Sequence, residues 1–149
     1  MPALHLCNML GENTMTDYFK ITLPEDDINA ISNLGLAHLG DAVFEIMVRT
    51  WMCEHGYATS SNLHKMTVQR VSAPAQAKAV EVILPSLTDR ENAVYKRGRN
   101  TRVNSVPHRA TIGEYHAATG LETLFGWLYL HGETERLNEL FALIMKEEV

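Results

Sequence analysis

Two acidic residues stand out in this chain because each sits inside a strongly apolar stretch. Asp41 lies in NLGLAHLGDAVFEIMVRTW at 33–51, and Glu122 lies in TGLETLFGWLYL at 119–130. A carboxylate held among apolar neighbours costs several kcal/mol unless a cation or hydrogen-bond donors compensate. Each acid has a glycine close by: Gly40 precedes Asp41, and Gly126 lies one turn after Glu122. Glycine costs about 1 kcal/mol in a helix interior, so its presence points to close approach of another helix or of a ligand. Two acids on two packed helices could converge on a divalent cation. Magnesium takes oxygen ligands, often one or two carboxylates, with water and phosphate completing its shell. Spacing alone is thin support, because a pair of helical acids is more often solvated or salt-bridged.

Other residues could assist. Steps of four place Asp41, Glu45 and Arg49 on one line along a helix. Arg49 can neutralise Glu45, which leaves Asp41 without an obvious partner. His38 lies three residues before Asp41, within reach of it on one helix face. A His–Asp pair invites a hydrolase reading, but no nucleophilic Ser or Cys motif accompanies it, so His38 is read as supporting. A second kind of chemistry resides in residues 92–113, which contain no acid but include Lys96, Arg97, Arg99, Arg102 and Arg109. The net charge of −5 argues against a polyanionic partner for the chain as a whole. Local field, however, decides where a polyanion lands. A run such as YKRGRNTR is usually a solvated loop. As an electrostatic footprint it could hold phosphates, with Asn100 adding a neutral contact and Gly98 letting the backbone come near.

The elements that must position these groups are helical. The chain of 149 residues suits one domain, or one domain with a tail. Its two cysteines, Cys7 and Cys53, are far apart and suggest neither a disulfide framework nor a zinc site. No membrane span or secretory signal is evident, and the expectation is a reduced, cytoplasmic protein with no membrane association. Residues 1–19 show no clear period and read as a flexible tail, with residues 20–149 forming the domain. Pro24 and the acids Glu25–Asp27 open a short helix. Ser32 or Asn33 caps the long helix over 33–51, whose apolar residues leave little room for a solvated face and which is expected to be central to the core. Ser60 or Ser61 caps a third helix with Leu63, Met66 and Val71 inward. Ser72 and Pro74 start a fourth helix that Pro85 stops. Thr88 and Glu91 match a capping box for a fifth, which Gly98 ends, leaving residues 98–112 as a basic loop. A helix over about Glu114–Leu130 and a last one from Thr134 complete an all-α fold of six or seven helices.

These residues resemble a known family. LAHLGDAVFE at 36–45 resembles the signature helix of the ribonuclease III catalytic domain, and TGLETLFGWLYL resembles its second acidic helix. Between them, NLHKMTVQRVSAPAQAKAV and YKRGRN resemble the Mini-III branch, the short form without a double-stranded-RNA-binding domain. Four stretches in the right order, over about residues 24–146, make the resemblance specific. It implies a ribonuclease III-type catalytic domain, a helical bundle that forms a homodimer, with the signature helices packed across the two-fold axis. It implies magnesium-dependent hydrolysis of both strands of an RNA duplex, leaving 5′-phosphate and 3′-hydroxyl ends. Asp41 and Glu122 would be the catalytic pair and the Mg2+ ligands. The branch further implies maturation of the large-subunit (23S) ribosomal RNA precursor, with a ribosomal protein as a candidate accessory factor.

The sequence departs from the larger members of the family. Acids found there four and seven residues before the aspartate are here Ala37 and Leu34, and a further acid three residues before the glutamate is Thr119. The ligand shell is thinner, and more waters must complete it. Glu45, His38 and Thr119 are read as supporting. Duplex affinity would come from Lys96, Arg97, Arg99, Asn100 and Arg102, mostly through phosphates and 2′-hydroxyls. The competing reading is a non-catalytic ribonuclease III-like module that binds structured RNA. A helical interaction protein with an incidental basic loop is a third, and it predicts no metal dependence.

Overall fold

The computed structural model describes residues 15–59, 61–102, 105 and 109–146. Among these there are seven α-helices and no strand: α1 (Glu25–Asn29), α2 (Asn33–Glu54), α3 (Leu63–Val71), α4 (Ala73–Ile83), α5 (Asp89–Arg99), α6 (Ile112–Leu130) and α7 (Thr134–Lys146). Short 3-10 turns at Tyr57–Thr59 and Leu84–Ser86 link α2 to α3 and α4 to α5. No helix of the described residues is long and apolar enough to cross a membrane.

The expected start signals are largely those used. Ser32, rather than Asn33, caps α2 by accepting from the Gly35 N–H at 3.0 Å. Thr88 and Glu91 form the reciprocal capping box at the head of α5. A second box, Thr111 with Glu114, opens α6 two residues before the expected start. Each box satisfies two backbone donors that would otherwise be orphaned. Ser72 has the extended backbone of an N-cap but makes no side-chain cap bond. Asn62 precedes α3 in place of Ser61; Ser60 lies outside the described residues, as do residues 1–14 of the expected tail. Nearer the domain, the Tyr129 hydroxyl donates to the Tyr18 carbonyl, and the Leu23 N–H donates to the Leu130 carbonyl at 2.9 Å.

Three expectations are corrected. First, α6 rather than α2 is the central element. It packs against α2, α4, α5 and α7, and residues on every side of it are buried, from Ala118 through Leu130. A helix that is apolar all round belongs inside, and Gly120, Thr123 and Gly126 let several neighbours approach at once. The α2 helix instead keeps an open face that runs through Leu34, His38, Asp41, Glu45, Ile46 and Arg49, with Leu34 46% and Ile46 51% exposed. Second, α3 does not bury Leu63, which is 39% exposed; it buries Thr67, whose hydroxyl bonds the Leu63 carbonyl at 2.8 Å. Third, α5 runs through Gly98 to Arg99, so Arg99 joins Lys96 and Arg97 in its last turn and the loop begins after it.

The core centres on Phe44, Val48, Leu121, Leu124, Phe125, Leu128 and Leu140, joined by edge-to-face contacts of Phe44 with Phe125 and Phe141. Each such side chain contributes roughly 1.5–3 kcal/mol on burial. This core holds α2 and α6 in one fixed relation, and the site depends on that relation.

Candidate active site

The site begins at the crossing of α2 and α6. An added Cβ on Gly40 would fall 1.6 Å from the Glu122 carbonyl oxygen, and one on Gly126 would fall 2.1 Å from the Leu36 carbonyl oxygen. Two backbones this close tolerate no side chain between them. Because Asp41 follows Gly40 and Glu122 lies one turn before Gly126, the same contact brings the two carboxylates into one electrostatic neighbourhood.

The two acids have unequal surroundings. Glu122 is largely buried, and burial pushes its pKa up to about 7; the Asp41 charge adds to the rise, while the Gln76 amide opposes it. Asp41 is open to solvent on the free face of α2, and its pKa is raised by partial desolvation and by Glu45, against the influence of His38. Glu45 itself pairs with Arg49 at 3.5 Å, as the spacing predicts, in an exposed contact worth little. Like charges brought together without a cation disfavour each other's ionisation. A divalent cation would reverse that penalty. No cluster of three or more His, Cys, Asp or Glu suited to a metal occurs among the described residues. The donor set available is therefore two carboxylates. That fits magnesium, which keeps several waters and needs only one or two protein carboxylates.

Thr119 is buried one turn before Glu122, and its hydroxyl donates to the Tyr115 carbonyl at 3.0 Å. Its bonding is used by its own helix. His38 is exposed beside Asp41 and acts on it through charge.

The basic residues sit at the C-terminal turn of α5, which is fastened to the same α6. Gly98 is buried there, and a Cβ on it would lie 2.3 Å from the Thr123 hydroxyl oxygen. Its role is helix packing, not the phosphate approach expected from the sequence. Asn33, read from the sequence only as a candidate cap, ties the start of α2 to this turn. Its amide donates to the Thr101 hydroxyl at 3.2 Å and to the Arg97 carbonyl at 3.5 Å. Lys96, Arg97, Asn100 and Arg102 are exposed, while Arg99 bonds Asn100 and lies over Tyr95. None of the four cations pairs with a carboxylate among the described residues. Cations also complement the negative end of a helix dipole, so their placement has a structural use as well.

Gln76 was the residue that sequence reasoning missed. It falls on the inward stripe of α4 with Ala79, Val80 and Ile83, and a polar residue on such a stripe is the signal that could have found it.

Comparisons with known proteins give the family. Residues 34–133 match the ribonuclease III domain family. The Mini-ribonuclease 3 of Clostridium tetani is 43% identical over 122 residues, covering 81% of each chain. That of Symbiobacterium thermophilum is 44% identical over 107 residues, covering 72% of this chain and 82% of its own. A crystal structure of a Fusobacterium nucleatum protein superposes with a TM-score of 0.74 at 31% identity, covering 83% of this chain and 98% of that one. With its all-helical fold and its match over both acidic helices, the chain belongs to the ribonuclease III family, in the Mini-ribonuclease 3 branch, and is an endoribonuclease.

Proposed function

We propose that this endoribonuclease cleaves double-stranded RNA in a magnesium-dependent reaction, with Asp41 and Glu122 as the catalytic and metal-binding pair. The observation that carries the reading is the glycine-to-glycine crossing of α2 and α6. It brings a buried and an exposed carboxylate into one neighbourhood, and neither pairs with a lysine or arginine among the described residues. Bound there, magnesium would polarise the scissile phosphate, lower the pKa of a bound water and neutralise developing charge, giving 5′-phosphate and 3′-hydroxyl ends. The residues of the chain supply the rest. Glu122 must give up its proton to hold the ion, which below about pH 7 opposes binding. Asp41, on the open face, meets the substrate side. His38 and Glu45 adjust its charge from positions one turn away on the same helix, and Thr119 supports the turn of α6 that carries Glu122.

The duplex would lie against the exposed end of α5, held by Lys96, Arg97, Arg99, Asn100 and Arg102. These groups meet phosphates and 2′-hydroxyls and read little sequence. Residues 20–149 are taken as the catalytic domain. A homodimer would cover the apolar residues Leu34 and Ile46 on the open face of α2 and double the basic surface. The natural substrate in this reading is the large-subunit (23S) ribosomal RNA precursor in the cytoplasm, presented with a ribosomal protein as accessory factor.

The deciding experiment is cleavage of a structured RNA duplex with magnesium by wild type and Asp41→Asn, with EDTA and single-stranded RNA as controls. Duplex cleavage by wild type alone, abolished by EDTA, is the expected result. Tight duplex binding with no cleavage by either protein would favour the non-catalytic RNA-binding module instead.

A further inference from the structure

Gln76 on α4 is fully buried, at 0% exposure. Its Oε1 and Nε2 atoms are both enclosed, and neither completes a hydrogen bond within the protein. An enclosed amide without partners costs on the order of 1–3 kcal/mol. A leucine or methionine would fill a similar volume without that cost. The packing of α4 on α6 therefore gives no reason for an amide at this position. Beside it lies Glu122: the amide opposes the rise in that carboxylate's pKa, as the smallest of the influences on it, yet no hydrogen bond between the two closes. An unsatisfied donor next to a carboxylate that must turn to meet a ligand is a poised contact.

We propose that Gln76 is a positioning residue for the cation site. Its Nε2–H donates to the Glu122 carboxylate and holds it turned toward Asp41, while its Oε1 accepts from a water retained in the site. This rests on reading Asp41 and Glu122 as that site. The residue type suits the task. A third carboxylate would add to the repulsion between the two already present, and a lysine would compete with the ion. A neutral amide orients Glu122 without either effect. With no third His, Cys, Asp or Glu grouped with the two carboxylates among the described residues, the orientation of each matters more, and partners that orient a ligand typically change metal affinity or activity about 10–100-fold when removed.

The test is Mn2+ binding to the full chain, followed by water-proton relaxation, for wild type, Gln76→Leu and Glu122→Gln, alongside steady-state cleavage of duplex RNA. Gln76→Leu should bind Mn2+ about tenfold or more weakly. Its kcat should fall by a similar factor with KM unchanged, and its metal-free Tm should equal or exceed that of wild type. Wild-type Mn2+ affinity and kcat in Gln76→Leu would overturn the proposal, whatever its Tm. Should that variant fail to fold, Gln76→Met, unbranched and nearly as long, takes the same measurements. Glu122→Gln separates the two readings. If it binds Mn2+ like wild type, the cation site itself is wrong; if it loses Mn2+ while Gln76→Leu retains it, only the role of Gln76 is wrong.

Discussion

Glu91 and Glu122 are the same residue type, each drawn into the protein on a helix, yet they are treated in opposite ways. Glu91 is 5% exposed and has every partner it needs. It accepts from Nε and Nη2 of Arg136, each at 2.9 Å, and from the Thr88 N–H at 2.9 Å. Burial alone would raise its pKa, but Arg136 and the cap hold it below the usual value. Glu122 has burial and Asp41 against it and only the Gln76 amide in its favour, so it stands at about 7. One carboxylate is neutralised within the fold. The other has no cation partner among the described residues, and in the function proposed above an ion from outside neutralises it. A charge that the fold itself neutralises holds elements together, here α5 to α7. A charge that the fold leaves uncompensated marks a place for a ligand.

The largest effect should come from removing the uncompensated charge. Glu122→Gln should lower duplex cleavage at least about a thousandfold, the several kcal/mol that a displaced metal represents; turnover near wild type would take Glu122 out of the site. The same variant sharpens the contrast in stability. A raised pKa means that the folded protein holds a proton the unfolded chain has released. Its stabilising contribution is therefore complete below pH 4.5 and is lost as pH rises toward about 7. Metal-free wild type should lose on the order of 2–3 kcal/mol across that window. Denaturant titrations of Glu122→Gln should show that slope flattened, and an unchanged slope would mean that Glu122 is not the group responsible.

Glu91 should behave in the opposite sense, with its contribution present above pH 4.5 and lost as pH falls through its lowered native value. Glu91→Ala takes two charged hydrogen bonds from the largely enclosed Arg136, which keeps only Glu139 and the Ser86 carbonyl, and removes the Glu91 half of the capping box. It should cost about 3 kcal/mol in chemical denaturation, with Mn2+ affinity unchanged at a temperature where the protein is folded. Weakened metal binding there would erase the distinction between the two carboxylates. The smallest effect belongs to the exposed end of α5. Arg97→Ala with Arg99→Ala should leave stability nearly untouched. It should weaken duplex binding and reduce the slope of log affinity against log salt by about 2, one for each phosphate that an arginine no longer neutralises. A wild-type slope would show that these side chains do not meet phosphate.

Much of this was legible along the chain because it is local chemistry. The seven helices follow from apolar periodicity punctuated by Pro24, Pro74 and Pro85 and by the Thr88/Glu91 box, all of which act within a few residues. Asp41 and Glu122 draw notice because a carboxylate in an apolar helix is costly wherever that helix packs, and the nearby glycines announce a close crossing. The ion pair of Glu45 with Arg49 follows from helical spacing alone.

What only the tertiary structure decided concerns which side of each helix faces what. Periodicity gives a helix an apolar face but not its neighbours. Nothing local says that α6 is covered on all sides while α2 keeps Leu34 and Ile46 in the open. Gly98 shows the same limit: in sequence it reads as a helix terminator near phosphate, and in space it is the gap that Thr123 fills. Asn33 bonds Thr101, 68 residues away, and Gln76 comes to lie beside Glu122, 46 residues away. Side-chain type and spacing record what a residue can do. Packing the other helices around α6 determines which residues meet, because burial, close approach and charge interaction act through space between segments remote in the chain.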